Sequence, residues 1–356
     1  MCKTLIIAEA GVNHNGDINI AKKLIDVASD AGADFVKFQT FKASKLASVH
    51  AEKAEYQSVA TGIDGTQLEM LKKLELSHES HEVLIDYCHH RNIGFLSTAF
   101  DLESLKFLCS KLQSEYLKVP SGEITNAPLL VAHARTGKKI ILSTGMASLG
   151  DIEDALGALA FGFINDVGNP KIDIIKEYYS KAMMTGLLKD KVILLHCTTE
   201  YPAPFNEINL TAMNNLGSIF GLPFGYSDHS EGIVVPIAAA AKEAVVIEKH
   251  FTLDKNMEGP DHKASLDPIE LKQMINAIRH VELSLGVGQK FAVNSEIKNK
   301  NIARKSLVAS KAINKGDIFT ENNLTAKRPG YGKSPMLYWD YIGTIATKSY
   351  SEDEII

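Results

Sequence analysis

The chain has 356 residues, more than one compact core usually holds, so a large domain followed by a smaller one is the expected organisation. Its net charge of -5 excludes nucleic acid and anionic membrane surfaces as general partners, so any anion it binds is held by a local pocket. Hydrophobic residues make up 45% of it and charged residues 23%, the balance of a soluble globular protein and not of a membrane or disordered one.

The first apolar run, "TLIIAEAG" (4–11), begins almost at once, with no secretory leader pattern before it. The four cysteines, Cys2, Cys88, Cys109 and Cys197, are far apart and form no metal-type pairs, which fits free thiols in a reducing cytoplasm. "GVNHNGD" follows; one glycine on each side of His14 and Asn15 is a weak phosphate-loop signal, and a turn with Asp17 near a helix N-terminus explains it. In "INIAKKLIDVASDAGA" the residues Ile20, Leu24, Val27 and Ala31 recur at helical spacing, and Gly32 is placed to cap the end.

The next run, "DFVKFQT" (34–40), carries Lys37 inside an apolar strand, and "YLKVPSGE" (116–123) carries Lys118 in the same way, with "GFLSTAF" (94–100) between them. An unpaired buried ammonium is costly. Two arrangements relieve it: internal salt bridges to Glu9 or Glu123, or a dianion pocket. In the second, Ser121, Ser143 and the amides of Gly122 and Gly145 add donors. His78, His81, His89 and His90 fall in polar helical surroundings and are expected at the surface.

"KIILSTG" (139–145) is the fifth run, and the 163–191 segment after it is long for a crossover, consistent with an extra surface helix or with an oligomer or regulatory element. "VILLHCT" (192–198), "PFGYSDH" (223–229) and "AVVIEKH" (244–250) complete a series of eight. The stretch "GIVVPIAAAA" is stopped by Lys242 and Glu243, too short to span a bilayer. Strand alternating with helix implies a parallel sheet with right-handed crossovers, and eight such units in about 250 residues have the rhythm of a (β/α)₈ TIM barrel.

Every run ends in polar or ionisable residues: Glu9, Gln39, Thr98, Glu123, Ser143, Thr198, His229 and His250. A scaffold alone would scatter such residues over both strand ends, whereas a barrel enzyme gathers them at the C-terminal face. Glu248 and His250 share strand parity, so both can point to the mouth. His229 and His250, at the ends of successive strands with acidic neighbours, form a candidate divalent-metal site with positions open for water and substrate.

"PIELKQMINAIRHVELSLG" ends the barrel at 285, residues 286–302 read as a linker, and 303–356 alternate short runs with "NKGD" and "RPGYG" turns, the pattern of a small β-rich module.

In order along nearly the whole chain, "AEAGVNHNGD", "VKFQTF", "STAFD", "KVPSGE", "ILSTGM", "LHCTTEYP", "GYSDHS", "EKHFTLDK" and "GPDHKAS" resemble the sialic acid synthases, which join phosphoenolpyruvate to an N-acylated hexosamine. The tail "INKGDIFTENNLTAKRPG" is similar to their antifreeze-like (SAF) domain, a β-clip fold. The resemblance implies that His229 and His250 hold Mn2+ or Mg2+, with Glu9 nearby. It gives Lys37, Thr98, Lys118, Ser121, Ser143 and Ser227 to phosphoenolpyruvate. Gln39, Glu123, Tyr201 and Asp261 fall to the amino sugar, joined by Arg328 from the partner of a domain-swapped homodimer. Glu9 or Glu123 is the candidate for ordering water or moving protons. Thr199 departs from the pattern, because some members carry there an asparagine that touches phosphoenolpyruvate.

"GPDHKAS" is closer to the neuraminic and legionaminic branches than to the pseudaminic one. N-acetylmannosamine is therefore the first expected sugar, giving N-acetylneuraminate, and its 2,4-diacetamido-2,4,6-trideoxy analogue the second, giving legionaminic acid. A Schiff-base aldolase using Lys37 or Lys118 and a non-enzymatic sugar-binding protein are readings of other classes. The second leaves eight polar strand ends unexplained.

Overall fold

A computed structural model describes residues 3–62 and 65–356 and divides into two compact units, Met1–Gly286 and Val287–Ile356. In the first, eight parallel strands close into a barrel in chain order. They are β1 (Leu5–Gly11), β2 (Phe35–Thr40), β3 (Gly94–Ala99), β4 (Tyr116–Val119), β5 (Lys139–Ser143), β6 (Val192–His196), β7 (Phe224–Asp228) and β8 (Val246–His250). All eight expected runs are strands, β3 to β7 stopping short where a mouth loop begins; β4 stops at Val119 because Ser121–Glu123 turns into a 3₁₀ helix.

The period of two along each strand sorts the side chains. Ile6, Ala8, Val36, Phe38, Leu117, Ile140, Leu142 and Ile247 face outward and join the main apolar layer beneath the helices. Ile7, Leu96, Ile141, Leu195 and Val246 face inward and fill the lower barrel as a separate apolar cluster. Two residues further along the same inward rows stand Glu9, Thr98, Ser143, Cys197 and Glu248.

The first helix, Ile18–Ala31, starts on Asp17, whose carboxylate accepts from Asn19 N at 2.6 Å, and ends at Gly32 in the left-handed region. His14 Nδ1 accepts the Gly16 N–H at 2.9 Å, so "NHNG" closes a turn. The 163–191 segment holds two helices, Ile172–Thr185 and Leu187–Lys191, which bury Ile175, Ala182 and Leu188 against the rest of the unit.

His81 corrects the expectation of four surface histidines. It is fully buried, with Nε2 2.9 Å from Thr40 Oγ1 and Nδ1 2.9 Å from Ser77 O, because it shares a helix face with Leu84, Ile85 and Cys88. Cys88, Cys109 and Cys197 are free thiols; Cys2 lies outside the described residues.

The second unit begins inside residues 286–302, read as linker, which contribute most of a helix, Asn294–Ala303, none of whose residues is buried. Beyond it β9 (Ser306–Ala309) and β10 (Leu324–Lys327) pair antiparallel, and Leu307, Ala309, Ile313, Phe319, Leu324, Ala346 and Tyr350 form a small core. Among the described residues no helix is long and apolar enough to cross a membrane.

Candidate active site

The C-terminal mouth of the barrel opens into a cavity of about 350 Å³. The inward rows of β1 to β5, β7 and β8 supply its floor, and the segment between β2 and β3 supplies one wall through Tyr56, Gln57, Gln67, Met70, Leu71 and Leu74. Twelve of the fourteen expected site residues line it. The exceptions are Glu123, partly exposed and holding Asn126 Nδ2 at 2.6 Å, and Arg328, exposed in the second unit one residue beyond β10. Glu123 misses the cavity because the 3₁₀ turn after β4 ends the strand alternation that would have aimed it inward.

The floor is a buried charge network. Lys37 Nζ lies 2.8 Å from Glu9 Oε2 and 3.6 Å from Glu248 Oε2, and donates to Thr98 Oγ1 at 2.9 Å. Lys118 Nζ lies 3.4 Å from Glu248 Oε1 and donates to Ser143 Oγ at 2.8 Å. Ser227 Oγ donates to Glu248 Oε1 at 2.8 Å. Register explains two of these pairings: Glu9 is opposite Lys37 on β1 and β2, and Ser227 is opposite Glu248 on β7 and β8. Internal salt bridges therefore relieve both lysines, with Glu9 as expected and Glu248 in place of Glu123.

Glu248 carried no assigned role in the sequence reading, although its parity with His250 was the available signal. It bridges both lysines. Burial pushes its carboxyl up, but Lys118 and Lys37 outweigh this and hold it below the ordinary range. In Glu9 the burial cost wins over Lys37, and the carboxyl is raised. Burial likewise lowers Lys118, which Glu248 only partly restores. One carboxylate is thus a fixed anion, and the other is able to hold a proton near neutrality.

Above this floor sit the two histidines. Nδ1 of His229 donates to Thr198 O at 2.6 Å, which leaves Nε2 as the acceptor, 3.0 Å from Tyr201 Oη. His250 Nδ1 is buried without a hydrogen-bond partner, 3.9 Å from Asp261 Oδ2. The ring centroids are 5.6 Å apart. Burial lowers His229 to about 4 and His250 well below its usual range, so both are neutral imidazoles at physiological pH. An orphaned buried nitrogen beside a second ring whose tautomer is fixed by a carbonyl fits a borderline divalent ion. Among the described residues no group of three His, Cys, Asp or Glu side chains is arranged to hold a metal, so the remaining ligands would be oxygens of water and substrate.

Tyr201 stacks on His229 with centroids 4.1 Å apart, and Tyr56, absent from the sequence reading, stacks on Tyr201 at 4.9 Å. Asp261 is raised to about 6 by burial. Gly145 N donates to Ser121 Oγ at 2.9 Å; a Cβ there would collide with Thr199 Oγ1, Ser121 Oγ and Cys197 Sγ, so only glycine leaves this corner open. Thr199 Oγ1 is buried without a partner at the cavity wall. At Gly11, with φ +53°, a Cβ would press on Glu9 and His250 at 3.3 Å.

Comparison with known proteins comes to the same place. A family model described as the NeuB family matches residues 24–290, and an SAF domain model matches 304–356. The chain is 55% identical to the N,N'-diacetyllegionaminic acid synthase of Campylobacter jejuni, over 100% of this chain and 99% of that one. It is 44% identical to the N,N'-diacetyllegionaminic acid synthase of Legionella pneumophila, over 95% and 89%. Among solved structures, the N-acetylneuraminic acid synthetase of Leptospira borgpetersenii superposes with a TM-score of 0.66 at 33% identity, covering 83% of this chain and 90% of that one.

Proposed function

The chain belongs to the NeuB family of synthases, and we propose that it condenses phosphoenolpyruvate with 2,4-diacetamido-2,4,6-trideoxymannose and water, giving N,N'-diacetyllegionaminic acid and phosphate. The observation that carries this reading is full-length identity of 55% to a legionaminic acid synthase, which reverses the order in which the sequence ranked the two sugars. N-acetylmannosamine becomes the second reading.

Lys37 and Lys118, with Ser143, Thr98 and Ser227, offer a cationic floor for the carboxylate and phosphate of phosphoenolpyruvate, and Glu248 bridges the two ammonium groups. Substrate oxygens take over the lysine protons now shared with serine, threonine and carboxylate. Tyr201, Gln39 and Asp261 meet the sugar. His229 and His250 would hold Mn2+ or Mg2+, which when bound supplies Lewis acidity toward the sugar aldehyde. Glu9, raised by burial and 2.8 Å from Lys37, is the carboxyl that orders the incoming water and takes its proton. The methylene carbon of phosphoenolpyruvate bonds to the aldehyde carbon, water adds at the central carbon, and phosphate leaves by C–O cleavage.

The deciding assay is phosphate release from phosphoenolpyruvate across a panel of N-acylated hexosamines. The trideoxy sugar should give the highest kcat/KM. A higher value with N-acetylmannosamine sinks the legionaminic reading, and borohydride trapping of a pyruvate adduct would favour an aldolase. Arg328 is assigned to the sugar of a second copy in a domain-swapped dimer. Chains carrying Arg328→Ala mixed with chains carrying His250→Ala should regain activity as heterodimers; verified heterodimers that stay inactive place the arginine elsewhere.

A further inference from the structure

Strand β8 ends in three consecutive ionisable residues, and only Glu248 and His250 face the cavity. Lys249, between them, points out of the barrel with Asp228 of β7, and the two side chains are 1% and 0% exposed. Lys249 Nζ lies 2.8 Å from Asp228 Oδ2 and also donates to Ser230 O. Asp228 Oδ1 in turn accepts the Ser230 N–H at 2.8 Å. Asp228 and Lys249 are register partners across β7 and β8.

These bonds close around His229. The residue before it and the residue after it are tied to each other, and both are tied to the residue that precedes His250. The carbonyl of His229 is held from the far side by Ala203 N at 2.9 Å, and that of His250 by Leu266 N at 2.9 Å. A buried ion pair is a poor source of stability compared with apolar side chains of the same size, so stability alone does not account for this one. Fixing the separation of two strand ends does.

We infer that Asp228 and Lys249 are positioning residues, a clamp outside the barrel that sets the spacing and orientation of His229 and His250 for a divalent cation. The inference rests on the two-histidine metal reading given above.

The test is Mn2+ binding to the full-length, metal-stripped chain, read by calorimetry or by the free-ion electron spin resonance signal, beside the melting temperature. The double variant Asp228→Leu/Lys249→Met removes both charges at once. It should melt within a few degrees of wild type, yet bind Mn2+ about tenfold to a hundredfold more weakly, with kcat falling at saturating metal. Equal Mn2+ affinity in a folded double variant overturns the inference. Should that variant melt early, Asp228→Asn decides: it keeps the shape and the Ser230 acceptor but sets an amide against the buried ammonium, so it melts lower than wild type, and several-fold weaker Mn2+ binding measured well below its melting temperature supports the clamp. Wild-type affinity in Asp228→Asn overturns it. A wild-type chain that binds no Mn2+ removes the metal reading and the clamp together, whereas tight wild-type binding indifferent to these substitutions removes the clamp alone.

Discussion

The two halves of the barrel interior are built from the same strands, the same inward rows and the same degree of burial, yet they are chemically opposite. At the lower level Ile7, Leu96, Ile141, Leu195 and Val246 pack together; one step of two residues along each strand reaches Glu9, Thr98, Ser143, Cys197 and Glu248. The lower half gains from desolvation, and the upper half is penalised by it. That penalty is visible in the raised Glu9, the lowered Lys118 and two histidines unable to protonate near neutrality. The apolar half below keeps these dry, charged groups in register. Titratable groups belong to one half and cohesion to the other.

The sharpest way to break this division is to take away the metal proposed for the upper half. Chelation should abolish turnover, with Mn2+ or Mg2+ restoring it, and His250→Ala should not be restorable. Full activity of metal-stripped His250→Ala would end the metal reading. Next comes Lys118→Ala, which leaves Glu248 with one lysine. Removing one partner of a buried charge contact costs about 2–5 kcal/mol, so kcat/KM for phosphoenolpyruvate should fall by about two orders of magnitude or more. An unchanged phosphoenolpyruvate response would make Lys118 a purely structural ion-pair partner.

In the lower half the expected outcome inverts. Leu96→Ala, two residues below Thr98 and fully buried, should cost about 2–5 kcal/mol of stability in denaturant titration while the folded enzyme keeps its KM values. A shift in phosphoenolpyruvate KM as large as that of Lys118→Ala would show that the two halves are not separable.

The smallest effect uses a buried histidine remote from the mouth as a control. His133, on the helix Ala127–Arg135, is fully buried and lowered to about 4 by burial. Its folded pKa lies below the unfolded value, so above about pH 6.5 both states are neutral and no linkage exists. As pH falls from there toward 4 the unfolded chain takes up the proton first and stability is lost, by roughly 3 kcal/mol at most. His133→Leu should flatten that part of the stability profile and leave pH 8 untouched. A profile unchanged below pH 6 would mean that this group does not drive the acid loss.

Much of this was legible in the one-dimensional pattern. Eight apolar runs each ending in polar residues determine a parallel barrel with its chemistry at one face, because strand period and strand-to-helix alternation are local properties. The same parity places Lys37, Lys118, Glu248 and His250 on the inner face without reference to any other part of the chain. Partnership is another matter. Glu248 rather than Glu123 completes the lysine network because closing β8 against β1 brings together residues more than 200 positions apart, while a 3₁₀ turn of three residues carries Glu123 out of the strand pattern. His81 looked like a surface group until a neighbouring strand supplied Thr40. Lys249 stood as one charge among three until β7 placed Asp228 behind it. Pattern decides which face a side chain takes; only the closed barrel, through cross-strand register and the loops that end each strand, decides what it meets there.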